Sequence, residues 1–220
     1  MASHVAHLFS DADRARIQAA VVEAEGKTSG EIVPYVVERS DAYEVAEWRG
    51  GALLGCTVAV LFAGLHTLTD VWLPVNIAGL IAFVIGAFVL GMIAVRFMPP
   101  LTRLLSGKAH MAHHVSRRAA EAFIAEEVFR TRERTGILLF VSLLERTVLV
   151  VGDAGINARV QKADWDGIVA MVVQGLKAGT PAEGMIRAIG ACGALLEHQG
   201  VARRADDTDE LSDGLRMSDR

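Results

Sequence analysis

Two stretches, GGALLGCTVAVLFAGLHTL (residues 50–68) and VWLPVNIAGLIAFVIGAFVLGMIAVRF (residues 71–97), decide how the rest of the chain is read. From Gly50 to Met98 the only acidic, basic or imidazole side chains are His66, Asp70 and Arg96, whereas both flanks carry charge every few residues. A bilayer core about 30 Å thick takes about 20 apolar helical residues, and each stretch meets that length. The reading is a transmembrane helical hairpin, with Trp48 and Trp72 at opposite interfaces, where indole rings prefer to sit. The composition agrees: 52% hydrophobic residues and a mean hydropathy of +0.34 are high for a chain with 22% charged residues. The first apolar run begins too late, after a mixed polar segment, to read as a signal peptide.

Orientation follows from the basic residues. Arg49 precedes the first span, and Arg96, Arg103, Lys108, Arg117 and Arg118 follow the second, while His66 to Leu73 contains no Lys or Arg. Both flanks and both termini are therefore expected on the cytoplasmic side of an inner membrane. Cys56 and Cys192 show neither metal nor redox spacing, and no disulfide framework is expected. A net charge of −4 and a pI near 6.0 leave no electrostatic footprint for nucleic acid. The basic cluster after the second span reads as a membrane-surface feature.

Outside the hairpin the pattern is that of one α/β unit. Ser10-Asp11-Ala12-Asp13 has capping-box spacing ahead of a helix whose Ile17, Val21 and Ala24 share a face, and Gly26 ends it. Glu31 to Val37 is rich in strand formers, and its Pro34 predicts an edge position or a bulge. Pro99-Pro100 breaks the second span, and a charged helix is expected from Lys108 to Arg130, with Val115, Ala119, Ala122 and Phe123 inward. Gly136–Leu143 and Thr147–Val151, joined by Leu144-Glu145-Arg146, predict an antiparallel hairpin buried on both faces. A helix follows from about Asp164-Trp165 with Trp165, Val169, Val172 and Leu176 on one side, stopped by Gly179. Thr180 as N-cap, Pro181 at the first helical position and Glu183 open a last helix to about Gln199. The resulting division is residues 1–47, a membrane hairpin over 48–98, the remainder of the domain over 99–201, and a charged tail over 202–220 expected to be disordered.

Three segments in this order resemble the TPM domain, named for thylakoid, photosystem-repair and receptor-auxiliary members. They are Lys27-Thr28-Ser29-Gly30-Glu31-Ile32, Thr131-Arg132-Glu133-Arg134-Thr135-Gly136-Ile137-Leu138 and Val151-Gly152-Asp153-Ala154-Gly155-Ile156. The third segment, with Trp165 and Gly179…Glu183-Gly184 after it, is similar to the bacterial membrane-anchored branch, although Thr135 stands where that branch carries asparagine. The resemblance implies a three-layer α/β/α sandwich with a small mixed sheet, interrupted here by the hairpin. It also implies divalent-cation binding in an acidic cleft in some members and acid-phosphatase activity in plant ones. Fold follows from such a resemblance far better than function does.

Topology supplies a site hypothesis of its own. Two strands joined through a crossover helix pair in parallel, and the tight hairpin makes the third antiparallel. The end of the third strand, at Gly152-Asp153, should then share a sheet edge with the starts of the other two. Glu31, Arg132, Glu133, Arg134 and Asp153 are thereby brought together. Carboxylates converging there repel unless neutralised. Glu31, Glu133 and Asp153 could hold Ca2+ or Mg2+, and Arg132 and Arg134 could clamp a phosphate. The competing reading is that these groups pair with one another to close the sheet end. Gly152 and Gly155 suggest a turn with positive φ. Asp164 and Asp166 read as helix caps. His110, His113 and His114 have the i, i+3, i+4 spacing of a metal pair without a third ligand, or of a headgroup-facing polar surface. Gly51 and Gly55 form a small-xxx-small pair expected to pack the hairpin helices together. His66 falls near the outer interface, and spans so poor in charge make an unpromising transporter.

Two functions of different class follow. One is a membrane-anchored binding or accessory module for a membrane complex; the alternative is a metal-dependent, acid-phosphatase-like hydrolase of phosphoesters.

Overall fold

The computed structural model describes residues 4–68, 76–201, 203 and 210–219. Its elements in chain order are α1 (His4–Leu8), α2 (Asp11–Glu25), β1 (Ile32–Val37), α3 (Glu44–Leu68), α4 (Ile77–Phe97), α5 (Pro99–Ser106), α6 (Lys108–Ala125), a 3-10 turn (Val128–Arg130), β2 (Ile137–Ser142), β3 (Thr147–Gly152), α7 (Ala154–Asn157), α8 (Lys162–Lys177), α9 (Pro181–His198) and β4 (Arg216–Ser218). They form two compact units, Met1–Ser40 with Ala112–Arg220, and Asp41–Met111.

The first unit is a mixed α/β fold around a four-stranded sheet of order β3-β2-β1-β4. β1 and β2 are parallel from Ile32↔Ile137 to Val37↔Ser142, and β2 and β3 are antiparallel from Ile137↔Gly152 to Ser142↔Thr147. Because successive side chains alternate between faces, the sheet feeds two cores. Ile32, Val36, Ile137, Leu139 and Val141 pack with Ile17 and Val21 of α2, Val172 of α8 and Met185, Ile189 and Leu196 of α9. Val33, Tyr35, Val37, Leu138 and Phe140 pack with Val115, Ala119 and Ala122 of α6 and with Val128.

Helix ends follow local chemistry. Ser10 Oγ accepts from Asp13 N–H at 3.1 Å, and the Asp13 carboxylate accepts from Ser10 Oγ–H at 2.7 Å and from Ser10 N–H at 3.1 Å, which holds that carboxyl below its ordinary pKa. In α8 the reciprocal cap joins Gln161 and Asp164, so the helix starts two residues earlier than its Asp-Trp signal suggested. Gly179 stops α8 with φ +74°. Pro181 opens α9, but Thr180 makes no side-chain cap, and Glu183 pairs with Arg16 instead. Cys192 is fully buried in α9, and burial pushes its thiol up to about 12.

Several expectations are corrected. The helix expected over Lys108–Arg130 stops at Ala125, where the chain turns through Glu127 at φ +54° before the 3-10 turn. β3 is only half-buried, because it forms a sheet edge, while β2 is wholly buried. Part of the tail is ordered: β4 pairs in parallel with Tyr35–Val37, and Arg216 Nε lies 3.1 Å from Glu126 Oε2. The edge position or bulge expected from Pro34 is not found, because β1 is an inner strand between β2 and β4. Glu31 and Val37 carbonyls accept from the β2 side and Glu38 N–H donates to Ser218, so alternation turns Pro34 toward the β4 side. β4 pairs only from Tyr35 onward, and no ladder bond is lost at Pro34.

In the second unit, α3 and α4 are antiparallel and long and apolar enough to cross a membrane. Only 11% and 6% of their most apolar windows are buried, unlike the core helices of a soluble protein. α3 begins six residues before the first apolar stretch, and α4 begins at Ile77. Val71, Trp72 and Asp70 lie outside the described residues. The seam is built from glycine: a Cβ on Gly91 would lie 2.5 Å from Gly50 O, and one on Gly51 would lie 2.9 Å from Phe88 O. Gly51 and Gly55 thus pack the hairpin internally, as expected.

Candidate functional site

The three motif segments do converge on one end of the sheet. Asp153 N–H donates to Gly136 O at 2.9 Å and Ile137 N–H to Glu31 O at 2.8 Å, which fixes the ends of β1, β2 and β3 side by side. Thr135, wholly buried, donates from Oγ1 to Ser29 O at 3.2 Å, and its N–H donates to Thr131 Oγ1 at 2.9 Å. Thr28 Oγ1 donates to Val201 O at 2.6 Å and accepts from Gly30 N–H. Gly155 donates from its N–H to Arg134 O, and a Cβ there would lie 2.3 Å from Glu133 O. Neither Gly152 nor Gly155 has positive φ; the close approach of neighbouring chain, not a left-handed turn, calls for glycine.

The five charged side chains divide rather than form one cleft. Asp153 is buried at the N-cap of α7, its Oδ1 accepting from Ala154 N–H at 2.7 Å and its Oδ2 2.7 Å from Arg134 Nε. Arg134 reaches it from a backbone at φ +58°. Glu31 is buried and accepts from Glu210 N–H at 3.2 Å, while Glu210 accepts from Arg132 N–H at 3.1 Å. The Glu133 and Arg132 side chains are exposed. With β2 between them, β1 and β3 backbones are separated by two interstrand spacings, about 10 Å. Among the described residues no three His, Cys, Asp or Glu side chains are grouped to hold a metal, Glu31, Glu133 and Asp153 included. Glu31 instead lines a cavity of about 110 Å³ with Glu25, Thr28, Arg203 and Asp213. Glu25 Oε1 is used there by Ile32 N–H at 2.7 Å.

His113 and His114 lie edge-on to each other at 5.9 Å between ring centroids. His110 lies edge-on to Tyr43 at 6.5 Å between ring centroids, and His114 Nδ1 lies 3.5 Å from Arg117 Nη2. Asp164 is a capping residue, as expected, and Asp166 is exposed.

Two polar features escaped the sequence reading. At the opposite end of the sheet, buried Glu145 accepts from Ser40 N–H at 2.8 Å and from Ser142 Oγ, and the two serine hydroxyls are 2.8 Å apart. This network ties the β2–β3 turn to the exit of β1. In sequence Glu145 reads only as a turn residue, since Leu144-Glu145-Arg146 carries no sign that its carboxylate is buried. The second is a cavity of about 290 Å³ where α3, α5 and α6 meet, lined by Asp41, Tyr43, Glu44, Arg49, Ser106 and His110 among others.

No protein-family profile matches this chain, and no curated protein matches it. Among solved structures it is similar to the NMR structure of the BA42 protein from the psychrophilic bacterium Bizionia argentinensis, with 18% identity over 96% of this chain and 95% of that one and a TM-score of 0.58. Likeness at this identity speaks to the fold alone.

Proposed function

We propose that this chain is a membrane-anchored, TPM-like three-layer α/β/α domain whose inserted hairpin crosses the inner membrane with both termini cytoplasmic, and that it works as a binding or accessory module for a membrane complex. The observation that carries the reading is the hairpin: two apolar helices, almost unburied, leave and re-enter the α/β domain in mid-sequence between β1 and α6. A module that recruits or steadies a membrane partner needs such an anchor and no nucleophile. The phosphatase alternative draws less support, because Arg134 and Asp153, which would hold phosphate and metal, pair with each other.

The test uses the full chain in native membranes. It should resist carbonate extraction, and a cysteine at Thr69 should be labelled only from outside the cytoplasm. Crosslinking should recover one membrane partner in fixed proportion to the chain. Extraction by carbonate, or labelling of Thr69→Cys only from the cytoplasm, overturns the anchor; recovery of bulk membrane protein alone overturns the module.

A further inference from the structure

The cavity of about 290 Å³ lies wholly within the Asp41–Met111 unit, at the charged end of the hairpin. Its size is at the low end for small-molecule sites, which run from about 300 Å³ upward. Five kinds of group meet there. Glu44 and Val45 open α3, a helix of 25 residues, and theirs are the first amides on offer there, because Ala46 and Glu47 N–H already donate to Tyr43 O at 2.9 and 3.3 Å. Arg49, one turn further, spends Nη1 on Leu105 O at 2.7 Å, which fixes the guanidinium against the end of α5. Asp41 and Glu44 bring carboxylates, and His110 an imidazole from the first turn of α6. Ser106, only 5% exposed, lines the cavity, and its hydroxyl has no hydrogen-bond partner among the described residues.

A buried hydroxyl without a partner is destabilising, so an occupant that supplies one is favoured. The charge pattern selects its chemistry. A simple anion would meet Arg49 and the α3 amides but also two carboxylates, and a simple cation would meet the reverse. A small zwitterion satisfies both. Position narrows the source: Trp48, exposed beside Arg49, is an interfacial residue, and Arg96, Arg103 and Lys108 lie at the same end of the helices.

We infer that this cavity binds a phosphoethanolamine group, its phosphate taken by Arg49, the Ser106 hydroxyl and the first amides of α3, its ammonium by Asp41 and Glu44. The lipid source, phosphatidylethanolamine, rests on the membrane reading above; free O-phosphoethanolamine shares the chemistry.

Native mass spectrometry of the full chain released from mixed micelles tests it. Phosphatidylethanolamine should be retained roughly tenfold over phosphatidylglycerol, the size of one charge-assisted hydrogen bond. Phosphatidylcholine, whose quaternary ammonium cannot donate, should be weaker. Arg49→Gln and Ser106→Ala should each lower retention of phosphatidylethanolamine, and Asp41→Asn should erase its advantage over phosphatidylglycerol while keeping phosphate binding. A purely structural role for Asp41 would lower both lipids alike. Thermal protection by O-phosphoethanolamine without lipid retention supports the group with a soluble source. Equal retention of both phospholipids by the unmodified chain, equal protection by inorganic phosphate and O-phosphoethanolamine, or no change in all three variants overturns the site. Carbonate extraction is read separately, so loss of the site with the chain still membrane-bound leaves the anchor standing.

Discussion

Phe140 in β2 and Phe83 in α4 are the same residue in opposite settings, the first 0% and the second 68% exposed. Beside Phe140 in the chain, Ile137, Leu138 and Leu139 are buried as well, whereas in the two hairpin helices Val60, Leu61 and Ile85 stand exposed like Phe83. Burying a large apolar side chain is worth about 1.5–3 kcal/mol, so these four left in water forgo roughly 6–12 kcal/mol. That equals the entire stability of a typical domain, about 5–15 kcal/mol. The two units therefore treat apolar side chains in opposite ways: one makes its own apolar interior, and the other, built on two helices long and apolar enough to cross a membrane, leaves them on its surface.

The largest expected effect breaks or confirms that contrast directly. Phe140→Ala should cost about 3–5 kcal/mol, from lost transfer energy and the cavity left behind. Phe83→Ala should leave the melting of the α/β unit unchanged when followed by far-UV circular dichroism in detergent. An equal loss from both would mean that the hairpin is packed inside protein after all.

How far the sequence carried depends on which interactions hold each element. The β2–β3 register was legible because apolar runs flank a three-residue turn, and a one-residue slip would turn every side chain to the wrong face. Pro34 constrained less than expected: its missing donor requires only that one ladder bond be absent, and a short neighbouring strand whose pairing starts at Tyr35 meets that inside the sheet. β4 was not legible: Arg216-Met217-Ser218 has no strand signature, and it is held by main-chain bonds to β1 and by the Glu126 ion pair, neither visible in local pattern. For the site, topology brought the right segments to one sheet end. The side chains then separated because β2 stands between Glu31 and Asp153, and because Arg134 in a left-handed conformation takes up Asp153. Pairing of that kind depends on backbone angles that residue spacing does not encode. The lining of the larger cavity was out of reach for a similar reason, since Asp41, Ser106 and His110 are distant in sequence and meet only where three helices end.

A second effect, nearly as large, sharpens the contrast by reversing the usual surface rule. An exposed apolar residue replaced by a charge in a soluble protein changes stability within about 0.5 kcal/mol. Ile85→Arg, at a position 57% exposed in mid-α4, should instead cost about 2.5–3.5 kcal/mol of membrane insertion. A smaller carbonate-resistant fraction, with the α/β unit still folded, is the expected result. An insertion level equal to that of the unmodified chain would place Ile85 in water.

The smallest effect concerns what the two units have in common. Apolar burial cannot drive helix against helix in lipid, where the tails are as apolar as leucine, but close packing still can. Both units use glycine for it. A Cβ on Gly184 of α9 would lie 2.9 Å from Gly175 Cα of α8, and one on Gly91 of α4 would lie 2.5 Å from Gly50 O of α3. Gly184→Ala and Gly91→Ala should each cost about 1–3 kcal/mol by overpacking. For Gly91→Ala the readout is Trp48 fluorescence in a Trp72→Phe, Trp165→Phe background, because Trp48 stacks edge-on against Phe88 at 5.6 Å and loses that neighbour if the seam opens. Gly86→Ala is the control: it lies in the same helix with open space at its Cβ, so only helix propensity acts, favouring alanine by up to about 1 kcal/mol. If Gly91→Ala were as silent as Gly86→Ala, the helices would not meet at Gly50, and the hairpin would depend on the bilayer alone for its shape.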